Sequence, residues 1–164
     1  MTTFTTEDRI TAMKQSIADL KKPMLYLDMD DVVADWYTAA QEFLKIRWSR
    51  EDNYRIPHDE WIKLKNASRF YRDLPLKENA RDLVEFCLDL KADGLVRDVA
   101  FLSAIPHNND MPYAIQDKVW WAHDHFPGIP VFLGPYSHDK AHHCQVGDIL
   151  IDDRHTNCEQ WEQI

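Results

Sequence analysis

The chain has 164 residues, 28 acidic against 19 basic side chains, a formal net charge of -9 and 45% hydrophobic content. That length suits one domain with at most a modest insertion, and the negative charge disfavours a surface built to track a nucleic-acid backbone, while leaving room for a local basic pocket. No apolar run is long enough to cross a bilayer, and Glu7, Asp8 and Arg9 spoil the charged-then-apolar order of a secretion signal. A cytoplasmic protein with no membrane partner is therefore expected.

The first element is an amphipathic helix from Thr5 to Leu20, with Ile10, Met13, Ile17 and Leu20 at three- and four-residue steps behind a Thr5-to-Asp8 capping box. Pro23 ends it. Met24 to Leu27 is a short apolar run that reads as a buried parallel strand delivering Asp28. Asp35 is placed to cap a helix carrying Trp36, Ala39, Ala40, Phe43 and Leu44 on one face. From about Arg47 to Leu76 the chain turns polar, rich in Trp, Tyr, Arg and Lys and broken by Pro57 and Pro75, and reads as a small, mostly helical insertion. Leu83, Val84, Cys87 and Leu88 mark the next helix, which stops at Gly94, and Val96 to Leu102 form a second strand running into Ser103. A further helix opens at Pro112, carries Ile115, Val119, Ala122 and Phe126, and ends at Pro127-Gly128. Val131 to Leu133 and Ile149 to Ile151 supply the third and fourth strands, and Asn157 to Gln163 suffices for a short helix. Strands alternating with helices imply right-handed crossovers and an α/β fold with a three-layer parallel sheet.

Chemistry-bearing residues gather where these strands end. Asp28, Asp30 and Asp31 follow the first, Ser103 the second, and Asp152 and Asp153 the fourth, and ligands of open parallel sheets bind at that edge. Carboxylates so crowded need a cation to stay ionised together, and magnesium, a hard oxygen-seeking ion, suits them. With metal and phosphate in place, Asp28 can attack phosphorus, and Asp30 can protonate the departing alkoxide and then activate water. Ser103 would donate to the phosphoryl group and Lys140 would neutralise its charge, so both count as catalytic and substrate-binding. Taken singly, each of these residues could equally be a turn, a cap or a surface charge. Their joint order, each after an apolar strand, favours function.

Three cysteines, Cys87, Cys144 and Cys158, make no even set, which fits reduced thiols, with Cys87 in a core pattern. His138, His142, His143 and Cys144 lack a second ligand pair, so zinc is disfavoured.

Leu25-Tyr26-Leu27-Asp28-Met29-Asp30, Phe101-Leu102-Ser103, Lys140 and Gly147-Asp148-Ile149-Leu150-Ile151-Asp152-Asp153 resemble the four motifs of the haloacid-dehalogenase superfamily. Within it, the DMDDVVADW segment from Asp28, FYRDLP from Phe70 and ILIDDR from Ile149 resemble the 5'(3')-deoxyribonucleotidases. The resemblance implies a Rossmann-like core in a single domain, 1–164, with a helical cap at about 37–76. It also implies magnesium held by the Asp28 side chain, the Asp30 carbonyl and Asp153 with Asp152 beside it, and a deoxynucleoside monophosphate as substrate. Trp36 falls where these enzymes stack an aromatic on the base, though a core role on its helix fits equally well; for Trp61, Tyr54 and Tyr71 packing is the better reading. Asp31 stands where glycine is usual, and Ser103-Ala104 replaces a Thr-Ser pair. The closing strand is missing, so the sheet is smaller or finished by a partner chain, with which a homodimer is compatible.

Two other functions fit parts of the pattern. One keeps the chemistry but takes another small phosphate ester or a nucleic-acid 3'-phosphate end. The other is a non-catalytic, receiver-like phosphate-binding domain, against which the order counts: Lys140 precedes Asp152-Asp153, whereas in receivers the lysine comes last.

Overall fold

The computed structural model describes residues 5–49, 56–67, 69–106, 111–134 and 136–164. Four strands, β1 (Met24–Leu27), β2 (Asp98–Ala104), β3 (Val131–Gly134) and β4 (Ile149–Ile151), form one all-parallel sheet of order β3-β2-β1-β4. β1 is flanked on both sides, pairing Leu27 with Phe101 and with Ile151. All four of its residues are buried, which is why it reads as an unbroken apolar run and shows no alternation.

The two faces of the sheet are covered differently. Leu25, Leu27, Val99 and Phe101 join the larger core with Val84 and Cys87 of α4 (Ala80–Ala92) and Ala114, Trp121 and Ala122 of α5 (Ala114–His125). Met24, Tyr26, Ala100 and Leu102 face the other way, onto Trp161 of α6 (His155–Trp161). Tyr26 meets the Trp161 ring edge-on at 5.4 Å. The result is the three-layer α/β architecture that the strand-helix alternation implies.

Between β1 and α4 lie α2 (Trp36–Leu44) and α3 (His58–Asn66). Leu64, Phe70, Tyr71 and Leu74 of this segment share the larger core with the sheet. The chain leaves and re-enters the sheet layer through two stretches that are bonded to each other. Ala34 and Leu76 form an antiparallel bridge, the Asp35 amide donates to the Pro75 carbonyl at 2.9 Å, and the Lys77 amide donates to the Val33 carbonyl at 2.9 Å.

Several details depart from the sequence reading, among them that β2 begins at Asp98 and not at Val96. α1 (Thr6–Leu20) forms with its Thr5 capping box, but Ile10, Met13, Ile17 and Leu20 are exposed, so its apolar row is not part of either core. α5 begins at Ala114 rather than at Pro112. It also buries a different face: Ile115 and Val119 are exposed, while Asp117, Lys118 and Trp121 are buried. Among the described residues no helix is long and apolar enough to cross a membrane.

Asp148 ties the start of β1 to the loop before β4: Oδ1 accepts from the Met24 amide at 2.7 Å and Oδ2 from the Gln145 amide at 3.1 Å. Bonds to a charged acceptor in a half-buried setting are among the stronger ones, so Asp148→Ala should cost about 1–3 kcal/mol. Urea unfolding followed by tryptophan fluorescence would register this as a lower midpoint with an unchanged slope.

Candidate functional site

Asp28 continues the central ladder by one residue, its amide donating to the Ile151 carbonyl at 2.8 Å, so it lies next to Asp152 at the carboxyl end of the sheet. Its side chain is buried, and Oδ1 accepts from the Met29 amide at 2.8 Å. The 3-10 helix Ser137–His143, which follows β3, brings in Lys140. Lys140 is 2% exposed, and its Nζ stands 2.7 Å from Asp28 Oδ1 and 2.6 Å from Asp152 Oδ2.

Burial pushes the Asp28 carboxyl up to about 7; Lys140 opposes that, and Asp152 and Asp30 add to it. Burial by itself would push the Lys140 ammonium down, but Asp28 and Asp152 more than offset this and hold it above its usual range. Lys140 is thus a permanent cation between two acids.

Asp152 and Asp153 differ sharply despite being neighbours. Asp152 Oδ1 accepts from the Arg154 amide at 2.8 Å, and Oδ2 accepts from Asn157 Nδ2 at 2.9 Å as well as from Lys140. Asn157 is in turn fixed by the Ser137 hydroxyl, which donates to its Oδ1 at 3.0 Å. Asp152 is therefore held by three hydrogen bonds, while Asp153 is exposed. One carboxylate oxygen from each of Asp28, Asp152 and Asp153 can be chosen so that all lie within 4.8 Å of one another. Oxygens that share a small divalent cation at about 2.0–2.1 Å are at most about 4.2 Å apart, so the set fits such an ion with little closing. The rise of the buried Asp28 carboxyl points the same way, since its ionised form is short of positive charge.

On the other side of Asp28, Asp30 and Ser103 are linked by a residue that the sequence reading passed over. Lys118 of α5 is 1% exposed, and its Nζ lies 2.6 Å from Asp30 Oδ2 and 2.9 Å from Ser103 Oγ. Asp30 Oδ1 is buried without a hydrogen-bond partner among the described residues. The clue to Lys118 was its spacing: it shares a helical face with Ala114, Trp121 and Ala122. A pattern search for apolar side chains discounts a lysine, although its stem packs as one.

Trp36, at the start of α2, is half-buried, with its ring centroid 6.0 Å from that of Trp61 and 6.3 Å from that of Phe70. Tyr71 is buried, and burial, followed by the charge on Asp30, pushes its phenol well above the usual range, so it stays protonated. Tyr54 lies outside the described residues. Asp31 adopts φ +63, the left-handed conformation in which glycine is easiest. Its Oδ1 accepts from the Tyr37 amide at 2.9 Å, a bond that glycine could not make.

A parallel sheet of this order, with acids after its central and edge strands and a lysine between them, is consistent with a haloacid-dehalogenase-like core. Residues 22–164 match the family described as 5' nucleotidase, deoxy (pyrimidine), cytosolic type C protein, and the chain belongs to that family. It is accordingly a hydrolase of the 5'-deoxynucleotidase type, acting on nucleoside monophosphates. No individual curated protein matches the chain. α1 lies before the matched region.

The raised Asp28 carboxyl has a consequence for stability. Its folded value of about 7 exceeds the unfolded 3.8, so ionising it opposes folding, and stability falls as pH rises from about 4 through about 7. Asp28→Asn should therefore raise the melting temperature of chelator-treated protein at pH 8 by at least about 4 °C, and change it little at about pH 3.5. Differential scanning calorimetry at the two pH values checks both halves.

Proposed function

We propose that the protein hydrolyses deoxynucleoside 5'-monophosphates, pyrimidine ones foremost, with Asp28 as nucleophile and magnesium as cofactor. The observation that carries this reading is the meeting of Asp28 with Asp152 and Asp153, from opposite ends of the chain, around the buried Lys140. The family match supplies the nucleotide.

The Asp28 carboxylate attacks phosphorus, forming an oxygen–phosphorus bond while the bond to the sugar oxygen breaks. Asp30 gives its proton to the departing 5'-oxygen, then takes one from the water that cleaves the aspartyl-phosphate, releasing inorganic phosphate and restoring Asp28. Ser103 donates to a phosphoryl oxygen, and Lys140 offsets negative charge on Asp28 and on the group in transfer. Magnesium, when bound, neutralises phosphoryl charge and orients the ester for in-line attack. Asp28, the Asp30 carbonyl and Asp153 would hold it. Asp152 supports them, because its oxygens are already engaged by Lys140, Arg154 and Asn157.

Residues 37–76 serve as a cap within a single domain of residues 1–164, and Trp36 offers the exposed part of its ring to the base. Stacking on a half-buried ring suits a flat base, and its neighbours Trp61 and Phe70 keep it from swinging away. The formal charge of -9 counts against a polynucleotide 3'-end as the substrate.

The test is a panel of deoxynucleoside 5'-monophosphates, sugar phosphates and a 3'-phosphorylated oligonucleotide, assayed with magnesium. A preference for the nucleotides is expected; equal rates across the panel would remove the substrate assignment. Asp28→Asn should lose at least about 1,000-fold in kcat, as removal of a covalent nucleophile does. Asp153→Asn should raise the magnesium needed for half-maximal activity at least about tenfold.

A further inference from the structure

We infer that Lys118 is a positioning residue that sets the direction of two proton-bearing groups at once, Asp30 and Ser103. This rests on the reading of Asp30 as the group that protonates the leaving oxygen. An ammonium has three N–H donors and no acceptor. At Lys118 one is directed at Asp30 Oδ2, 2.6 Å away, and one at Ser103 Oγ, 2.9 Å away. The third direction is met by the face of Tyr71, whose ring centroid is 4.4 Å from Nζ. With all three accounted for and only 1% of the side chain exposed, Lys118 braces its neighbours and is not a phosphate ligand.

Each contact has a directional consequence. With Oδ2 of Asp30 held by Lys118, the carboxyl is fixed in one orientation, and Oδ1 is left without a partner among the described residues. The Ser103 hydroxyl, accepting from Lys118, cannot point its own hydrogen back along that bond, so the hydrogen is turned outward to donate to the phosphoryl group. Here Ser103 is followed by Ala104, so motif two has one hydroxyl and its orientation matters more. Tyr71 belongs to the segment between β1 and α4, so the brace also ties that segment to the acid beneath it.

The role predicts a dependence on the leaving group that mere loss of structure would not produce. kcat/KM reports the first phosphoryl transfer, in which a sugar alkoxide needs a proton and p-nitrophenolate does not. Lys118→Met should lower kcat/KM for both esters through Ser103, and for a deoxynucleoside 5'-monophosphate about 100-fold further than for p-nitrophenyl phosphate, within the usual range for a lost general acid. Asp30→Asn should show the same split, at least as large. Lys118→Cys treated with 2-bromoethylamine, which rebuilds an ammonium of nearly lysine length, should recover nucleotide turnover to within about tenfold of the equally treated parent. Lys118→Gln serves as the second variant should the methionine form fail the circular-dichroism check for folding. Equal losses on both esters in a folded Lys118 variant, with the split intact in Asp30→Asn, would overturn the inference alone. Absence of the split in Asp30→Asn would overturn the acid reading, and the inference with it.

Discussion

Four carboxylates, those of Asp28, Asp30, Asp152 and Asp153, are gathered at one edge of a small sheet. Like charges at such spacing repel, and burial deepens the cost, as the upward displacement of the Asp28 carboxyl shows. The fold answers with two buried lysines on separate elements, Lys140 between Asp28 and Asp152, and Lys118 between Asp30 and Ser103. Neither lysine would be stable alone in its position, since a buried ammonium without partners is costly. Acids and lysines thus depend on one another, and the small sheet is what brings them within reach.

The division of labour follows from the topology. β1 lies between β2 and β4, so the residue after it has neighbours on both sides. Asp28 receives Asp152 from one flank through the ladder bond to Ile151, while the loop carrying Asp30 turns toward Ser103 and α5 on the other. One side carries Asp152, anchored by Lys140, Arg154 and Asn157, and the opposite side carries Asp30 and Ser103, both bonded to Lys118.

Much of this was legible in the sequence because strong local signals coincide with it. Each of the four strands follows a run of apolar residues, and each acid directly after such a run must lie at the sheet's carboxyl edge. Asp153 is preferred to Asp152 only by resemblance; in the structure Asp152 is engaged by Arg154, Asn157 and Lys140. What was hidden is instructive. In and just after α5, Ala122 and Phe126 are buried as their spacing implies, but Ile115 and Val119 are exposed and the charged Asp117 and Lys118 are buried, so hydrophobic periodicity is only half right there. α1 shows the reverse: its periodicity predicts the helix correctly but says nothing of what its apolar row should touch.

The paired crossing at Ala34 and Leu76 carries one more implication. Because the outgoing and returning stretches are bonded to each other, with Lys77 Nζ 3.8 Å from both Asp31 and Asp35, the loop that holds Asp30 is finished before the inserted segment begins. Whatever lies between the crossings can lengthen, shorten or change its lining, provided it keeps the Tyr71 ring on Lys118 and returns an apolar surface to the shared core. Such a clasp makes the insert an exchangeable module, so that a new preference for what is hydrolysed can be grafted onto unaltered chemistry.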